Sequence, residues 1–109
     1  MKKTMLFLVL LIYSTMSSAV YNDNMTGTVS QIMTYADGDY IYFTLSNQPT
    51  SHQACSPQYF VISEDVPYQR RQMLLSRLLA AYTTKDAINI GFDNSGDCVH
   101  GYIRVHRIG

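Results

Sequence analysis

The chain has 109 residues and a formal net charge of zero at pH 7, with eight basic and eight acidic side chains. This balance leaves no basic stripe that would attract nucleic acid phosphates or an acidic membrane surface. We therefore expect neither nucleic acid nor an acidic membrane as a partner. No repeat, low-complexity tract or linker interrupts the sequence.

An export signal is predicted at the amino terminus. Two lysines precede an unbroken apolar run over residues 5 to 13, and small residues follow up to Ala19. This order is typical of a cleavable signal peptide over residues 1 to 19. A membrane anchor is the alternative, but the run is about half of the roughly 20 apolar residues that span a bilayer. We therefore expect a periplasmic or secreted protein without stable membrane insertion, with residues 20 to 109 as one domain.

The first strand is predicted over residues 26 to 35, where the apolar positions break the two-residue alternation and indicate a bulge near Gln31. The Asp37-Gly38 pair that follows is a strong signal for a primed hairpin turn. The second strand, residues 40 to 45, is therefore antiparallel to the first. Its predicted core face consists of Ile41, Phe43 and Leu45.

A short third strand is predicted over residues 58 to 62 and a helix over residues 66 to 82, with Ser63 as a capping residue. The predicted apolar stripe of the helix comprises Leu74, Leu75, Leu78, Leu79 and Tyr82. The arginines predicted to lie mainly off this stripe, on a solvated face, are Arg70, Arg71 and Arg77. Two more strands, over residues 87 to 93 and from Val99 onward, complete the chain.

Two interpretations are open for Cys55 and Cys98. Together with His52 and His100 they offer four ligands at short spacings, which suits a zinc ion. In an exported protein, however, two cysteines form a disulfide by default because the compartment is oxidising. We therefore expect a Cys55–Cys98 disulfide with no metal and no cofactor, and zinc coordination is the alternative.

The predicted order of strand, strand, strand, helix, strand, strand is that of a five-stranded Greek-key barrel of the OB type. A long bulged first strand fits this barrel, because one strand must pair with both halves of a sharply curved sheet. An open α+β sheet with the helix across one face is the alternative. We predict the barrel, a mainly β fold with one helix and one disulfide.

Several segments resemble small exported bacterial proteins of the subtilase-cytotoxin B-subunit-like group, related to the B-subunits of AB-type pentameric toxins. These segments are "YIYFTL", "HQAC" and "LLSRLLAAYTTKDAINIGFDNSGDCVHGYIRV". The shared pattern is a hairpin, a cysteine-bearing loop, a helix, a strand and a "GDC" turn into the final strand. The resemblance implies an OB-fold, a disulfide and a homo-oligomer, pentameric in the toxins, that binds cell-surface glycans, commonly sialylated. In the toxins this ring delivers an exported enzymatic A-subunit.

Aromatic and rigid polar side chains around the first hairpin and the following loop are candidates for glycan binding. Tyrosine rings can stack on the C–H groups of sugars, while carboxylates and amides match sugar hydroxyls. The candidate ligand-binding residues are Tyr35, Asp37, Asp39, Tyr40, Tyr42, Asn47, Gln48, Ser51 and His52. The sequence therefore predicts a non-catalytic module that recognises host cell-surface glycans as an oligomer.

A polar stripe on the outer side of the last strand supports an alternative function. It consists of His100, Tyr102, Arg104 and His106. Tyrosine and arginine are favoured at interfaces, and histidines tune binding between about pH 5 and 8. The alternative is an exported protein-interaction or inhibitory module, or an oligomer interface. Catalysis is not expected, because no strand-turn-helix elbow presents a serine and both thiols are expected to be oxidised.

Overall fold

The computed structural model describes residues 21 to 109, and the predicted signal peptide over residues 1 to 19 lies outside the described part. The elements are β1 (Asp23–Thr34), β2 (Ile41–Leu45), β3 (Ser56–Ile62), α1 (Tyr68–Thr84), β4 (Ala87–Phe92), β5 (Cys98–Val99) and β6 (Tyr102–Ile108). Between residues 21 and 109, no helix is both long and apolar enough to cross a membrane.

Five of the strands close into a barrel, which confirms the predicted fold class. β1 pairs antiparallel with β2 on one side and with β4 on the other. β2 then pairs with β3, β4 pairs with β6, and a parallel pairing of β3 with β6 closes the cylinder. This is the OB-type Greek-key arrangement. β5 is an extra short strand that pairs antiparallel with the start of β6.

β1 pairs with two neighbours because it bends at a bulge. Val29 lies opposite Leu45 and Gln31 lies opposite Thr44, so Ser30 is the extra residue in β1. The bulge predicted near Gln31 is thereby confirmed.

The barrel interior is filled by alternating apolar side chains. The core residues of β2 are those predicted from its alternation, and on β4 Ile88 and Ile90 face inward in the same way. From α1, Leu78 and Ala81 pack into this core and are almost completely buried. Leu74 and Leu75 are partly buried against the core, so four residues of the helix seal it from solvent.

The helix stripe is narrower than predicted. Leu79 remains 47% exposed and Tyr82 39% exposed, so both lie outside the buried face. Arg71, predicted on the solvated face, is only 7% exposed. Its Nη1 donates hydrogen bonds to the carbonyl oxygens of Glu64 (3.2 Å) and Val66 (2.7 Å). Its burial is therefore compensated by main-chain acceptors of the segment that leads into the helix.

The start of the helix also differs from the prediction. α1 begins at Tyr68 after Pro67, and no side chain caps it. Instead of capping the helix, Ser63 accepts a hydrogen bond at its Oγ from the N–H of Asp65 (3.2 Å). The loop before α1 is thus held by its own turn and by Arg71, which leaves Glu64 and Asp65 exposed to interact with other elements.

The predicted last strand is two strands, because the chain reverses at His100-Gly101. Both residues have positive φ, +53° and +85°, as a primed two-residue turn requires. Val99 consequently pairs with Tyr102 in a tight hairpin. The prediction of a continuous strand through His100 is wrong, and His100 lies at the tip of this hairpin.

The first hairpin also has a different turn from the one predicted. Thr34 pairs with Ile41, so the loop between β1 and β2 contains six residues. Neither Asp37 nor Gly38 has a positive φ, so the primed turn predicted there is absent. Gly38 has another role: a Cβ at this position would collide with the ring of Tyr40, which lies directly over it.

Candidate functional site

Five tyrosines form one continuous aromatic surface on the outside of the barrel, which we call the tyrosine face. It consists of Tyr35, Tyr40, Tyr42, Tyr59 and Tyr102. Two of these residues belong to the loop between β1 and β2, and the others are outward-facing positions of β2, β3 and β6. Strand alternation explains the face, since each outward tyrosine has a buried neighbour in the same strand.

Tyr42 occupies the centre of the tyrosine face. The centroid of its ring lies 5.3–5.4 Å from the centroids of the other four rings. The outer rings also contact one another, as Tyr59 and Tyr102 do at 5.2 Å. Tilted and edge-to-face packing at these distances is favourable for aromatic pairs and holds each ring in place. The face is therefore a preformed aromatic platform rather than a set of separate side chains.

Two phenol hydroxyls of this face, those of Tyr40 and Tyr42, have raised pKa values and are protonated at neutral pH. Burial, followed by the proximity of Tyr40, raises the pKa of Tyr42 above its ordinary value. Burial and then the neighbouring Asp37 carboxylate raise the pKa of Tyr40. The hydroxyl of Tyr40 donates to Asp37 Oδ1 at 3.3 Å, so the platform carries an oriented hydroxyl at its edge.

His100 extends the tyrosine face at the tip of the β5–β6 hairpin. Its ring centroid lies 4.7 Å from that of Tyr40. Its Nε2 lies 3.1 Å from both carboxylate oxygens of Glu64. A main-chain hydrogen bond, followed by His100, lowers the pKa of Glu64. Because Asp37, Asp39 and Glu64 are all exposed, the rim of the face is acidic.

The other predicted ligand residues lie beyond the opposite end of β2. The length of this extended strand separates them from Tyr40 by roughly 15 Å. Asn47 donates from Nδ2 to the carbonyl of Thr26 at 3.0 Å. Gln48 accepts from the N–H of Leu45 and donates to the carbonyl of Pro57, both at 2.9 Å. These two amides therefore tie the long loop to the barrel, and the structure does not join them to the tyrosine face.

His52 and Ser51 belong to the same long loop between β2 and β3. His52 Nδ1 accepts hydrogen bonds from the N–H groups of Ala54 and Cys55, at 3.2 and 2.9 Å. The other ring nitrogen, Nε2, lies 2.8 Å from the carbonyl oxygen of Asp93, so it is the N–H nitrogen of the ring and donates a hydrogen bond to that oxygen. Both nitrogens of His52 are thus engaged, while Ser51 lines a shallow cleft of about 380 Å³.

The structure decides between the two interpretations of the cysteines. Cys55 and Cys98 are joined by a disulfide, with Cα atoms 5.6 Å apart, as predicted. Their sulfurs are therefore not thiolates that could bind a metal. Among residues 21 to 109, no group of three or more histidine, cysteine or acidic side chains is arranged to hold a metal ion.

The rest of the predicted interface stripe forms an ion-pair network around Asp97. Arg104 Nε donates to Asp97 Oδ1 at 2.9 Å, and His106 Nε2 lies 2.6 Å from Asp97 Oδ2. Arg104 Nη1 also binds both oxygens of Asp65, at 3.1 and 3.2 Å. Tyr21 stacks on the ring of His106 with centroids 5.6 Å apart. Arg104 and His106 are therefore positioned by acidic partners and lie beside the tyrosine face, to which Tyr102 belongs.

Sequence reasoning missed Tyr59 and the acidic partners. Tyr59 alternates with the buried Phe60, and that alternation was the available signal. Its contact with Tyr42 depends on the pairing of β3 with β2, which the sequence does not specify. Glu64 and Asp65, in the segment before the helix, contact His100 and Arg104 in the structure.

The network predicts a loss of stability in acid. A hydrogen bond between the side chains of Asp65 and Ser63, followed by the charge of Arg104, lowers the pKa of Asp65. A carboxyl group whose pKa is lower in the folded protein stabilises the fold above its unfolded pKa, and this contribution is lost as the pH falls. We expect the urea midpoint to fall below about pH 4, with a shallower fall in Asp65→Asn. An equally steep fall in that variant would contradict the assignment.

In comparisons with known proteins, no family model, no curated protein and no solved structure matches this chain. The relation to the subtilase-cytotoxin B-subunit-like group therefore stays a prediction from the sequence segments quoted above.

Proposed function

We propose that this protein is an exported, non-catalytic binding module that recognises cell-surface carbohydrate through the tyrosine face. The observation that carries the proposal is the unbroken contact of five tyrosine rings around Tyr42. Sugar rings present flat arrays of C–H groups that stack on aromatic rings, and their hydroxyls need fixed hydrogen-bond partners. The Tyr40 hydroxyl and the carboxylates of Asp37, Asp39 and Glu64 supply such partners at the rim.

The place of the tyrosine face in the barrel supports the same function. In OB-type barrels, oligosaccharides and oligonucleotides bind on the face of strands two and three and the loops beside it. Here the tyrosine face covers β2 and β3 and includes the β1–β2 loop, while His100 comes from the connection between β4 and β6. Fold alone does not assign a function, and the aromatic residues themselves are what favours carbohydrate here.

The charge of the rim favours carbohydrate over nucleic acid. Single-stranded nucleic acids also stack on aromatic side chains, but they require a positively charged groove for their phosphates. The rim carries Asp37, Asp39 and Glu64 instead. Arg71 lies 3.8 Å from Asp39, and Arg104 is shared by two carboxylates, so these cations are already paired. We infer that neutral glycans bind more tightly than sialylated ones.

Two further parts of the proposal rest on the sequence resemblance. They are assembly into a homo-oligomer, pentameric as in the toxin group, and delivery of an exported enzymatic A-subunit. The disulfide is consistent with an oxidising compartment, as export requires. Light scattering of the mature protein measures the assembly directly.

A glycan array that includes neutral and sialylated sugars tests the function. We expect the mature protein to bind, and Tyr59→Ala to weaken binding about tenfold, which corresponds to losing one stacking contact. Tyr82→Ala is the matched control, because Tyr82 is an exposed tyrosine on α1 that is not part of the tyrosine face. Circular dichroism establishes that both variants fold.

Two outcomes would count against the proposal. If no glycan binds, the tyrosine face fits the alternative function, an exported protein-interaction or inhibitory module, because tyrosine is enriched at protein interfaces. If Tyr82→Ala weakens binding as much as Tyr59→Ala, the sugar site lies elsewhere.

A further inference from the structure

A groove of about 780 Å³ lies between α1 and β6, and none of the five tyrosines lines it. One wall is the helix and the loop before it, and the other wall is the second half of β6. The residues that line it include Asp65, Arg70, Leu74, Arg77, Arg104 and Ile108. This groove is therefore a separate surface from the tyrosine face, and its properties do not depend on the proposed sugar binding.

The strand edge that borders the groove has no main-chain partner among the described residues. The parallel pairing of β3 with β6 ends where Val61 lies opposite Arg104, because β3 then leaves the barrel towards α1. β6 continues to Ile108 and pairs there only with β4, on its other edge. Gly109 exchanges two main-chain hydrogen bonds with Asn89, so alternation directs the main-chain groups of Ile108 towards the groove.

The helix wall of the groove is cationic. Arg70 and Arg77 are exposed and lie two helical turns apart, about 10 Å along the axis. Neither forms an ion pair within the described part of the chain. The acidic residue of the lining, Asp65, already binds Arg104. The groove thus presents two uncompensated positive charges to a ligand.

The base of the groove is apolar. Val105 and Ile108 contribute from β6, and Leu74 contributes from the helix. Met73 is 70% exposed at the helix wall, a large apolar area left in contact with solvent. A ligand that buries this surface gains hydrophobic stabilisation in addition to the charge interactions.

We propose that the α1–β6 groove binds an extended acidic peptide segment of a partner protein, which adds as a strand alongside β6. Pairing with a free strand edge provides main-chain hydrogen bonds, while alternate side chains provide specificity. In an extended peptide, side chains on the same side recur about every 7 Å. Acidic side chains on one side then reach Arg70 and Arg77, and apolar side chains on the other side lie against the apolar base of the groove.

The probe is the peptide acetyl-Glu-Val-Glu-Val-Glu-amide, with analogues in which Leu, Ile or Phe replaces both valines. We expect at least one of them to shift the amide NMR signals of His106 and Ile108. Arg70→Gln and Arg77→Gln should each weaken its binding about fivefold, as expected for one lost charge interaction. Lys85→Gln is the matched control, because Lys85 is a cation at the end of α1 that does not line the groove.

Two N-methylated peptides, one methylated at the valines or their replacements and one at the glutamates, separate strand pairing from simple charge attraction. Both keep every charge, but only alternate N–H groups of an extended peptide face β6, so one of the two should bind at least about tenfold more weakly. Full affinity of both methylated peptides would overturn the proposal. So would equal effects of the arginine variants and Lys85→Gln, or the absence of shifts at His106 and Ile108 with all four peptides.

Discussion

Reduction of the Cys55–Cys98 disulfide is expected to lower the free energy of unfolding by about 4 kcal/mol, because the bond closes a loop of 43 positions. The loop contains β3, α1 and β4, so the bond restricts half of the domain in the unfolded state. A domain of this size has a total stability of roughly 5–15 kcal/mol. The disulfide is therefore one of the largest single contributions to the fold.

Urea unfolding with and without reductant measures this effect. The double variant Cys55→Ser with Cys98→Ser should be destabilised to a similar extent and should not respond to reductant. An unfolding midpoint of the native protein that reductant leaves unchanged would show that the bond contributes little.

Leu78→Ala is expected to destabilise the domain by about 2 to 5 kcal/mol, the cost of creating a cavity at a fully buried leucine. Leu78 has no exposed surface and lies where α1 packs onto the barrel. Circular dichroism during chemical unfolding gives the change in stability. The barrel strands cannot replace the lost contacts of Leu78, because α1 is the element that covers the apolar residues at this side of the core.

Leu79→Ala is the matched control on the neighbouring helix position. Leu79 is exposed, so its truncation should cost less than about 1 kcal/mol. Equal costs for the two substitutions would mean that the buried face of α1 has been assigned incorrectly.

The barrel was predictable because its strands have one buried face. Ile41, Phe43 and Leu45 alternate with polar or aromatic residues, and this pattern determines both the strand and the side that faces the core. The bulge in β1 was predictable for the same reason, since one extra residue in a strand shifts the apolar positions that follow it to the opposite parity. Local pattern and final fold agree at these positions.

The main errors occurred where tertiary contacts outweigh local pattern. Arg71 has the composition of a solvated helix position, yet it is buried because carbonyls of the preceding loop accept its hydrogen bonds. The turn at His100-Gly101 was missed because Val99, Ile103 and Val105 continue the two-residue alternation across it. Histidine is among the residues that tolerate positive φ, and a glycine after it was the available signal.

The candidate site was predicted in part. The hairpin residues Tyr35, Tyr40 and Tyr42 do come together, because the antiparallel pairing of β1 and β2 was inferred correctly. Tyr59 joins the face through the pairing of β3 with β2, and Tyr102 joins it through the pairing of β3 with β6, two strands far apart in sequence. Long-range strand order is set by closure of the whole barrel, which no local segment encodes.

The central claim, that the tyrosine face binds sugar, is tested most directly by NMR of protein with ¹³C-labelled tyrosine rings. Addition of neutral oligosaccharides from the glycan array should shift the ring signals of Tyr42, Tyr59 and Tyr102. The signal of Tyr82 on α1 should stay unchanged. Shifts confined to the helix tyrosines, or no shift on the tyrosine face with any oligosaccharide, would contradict the claim.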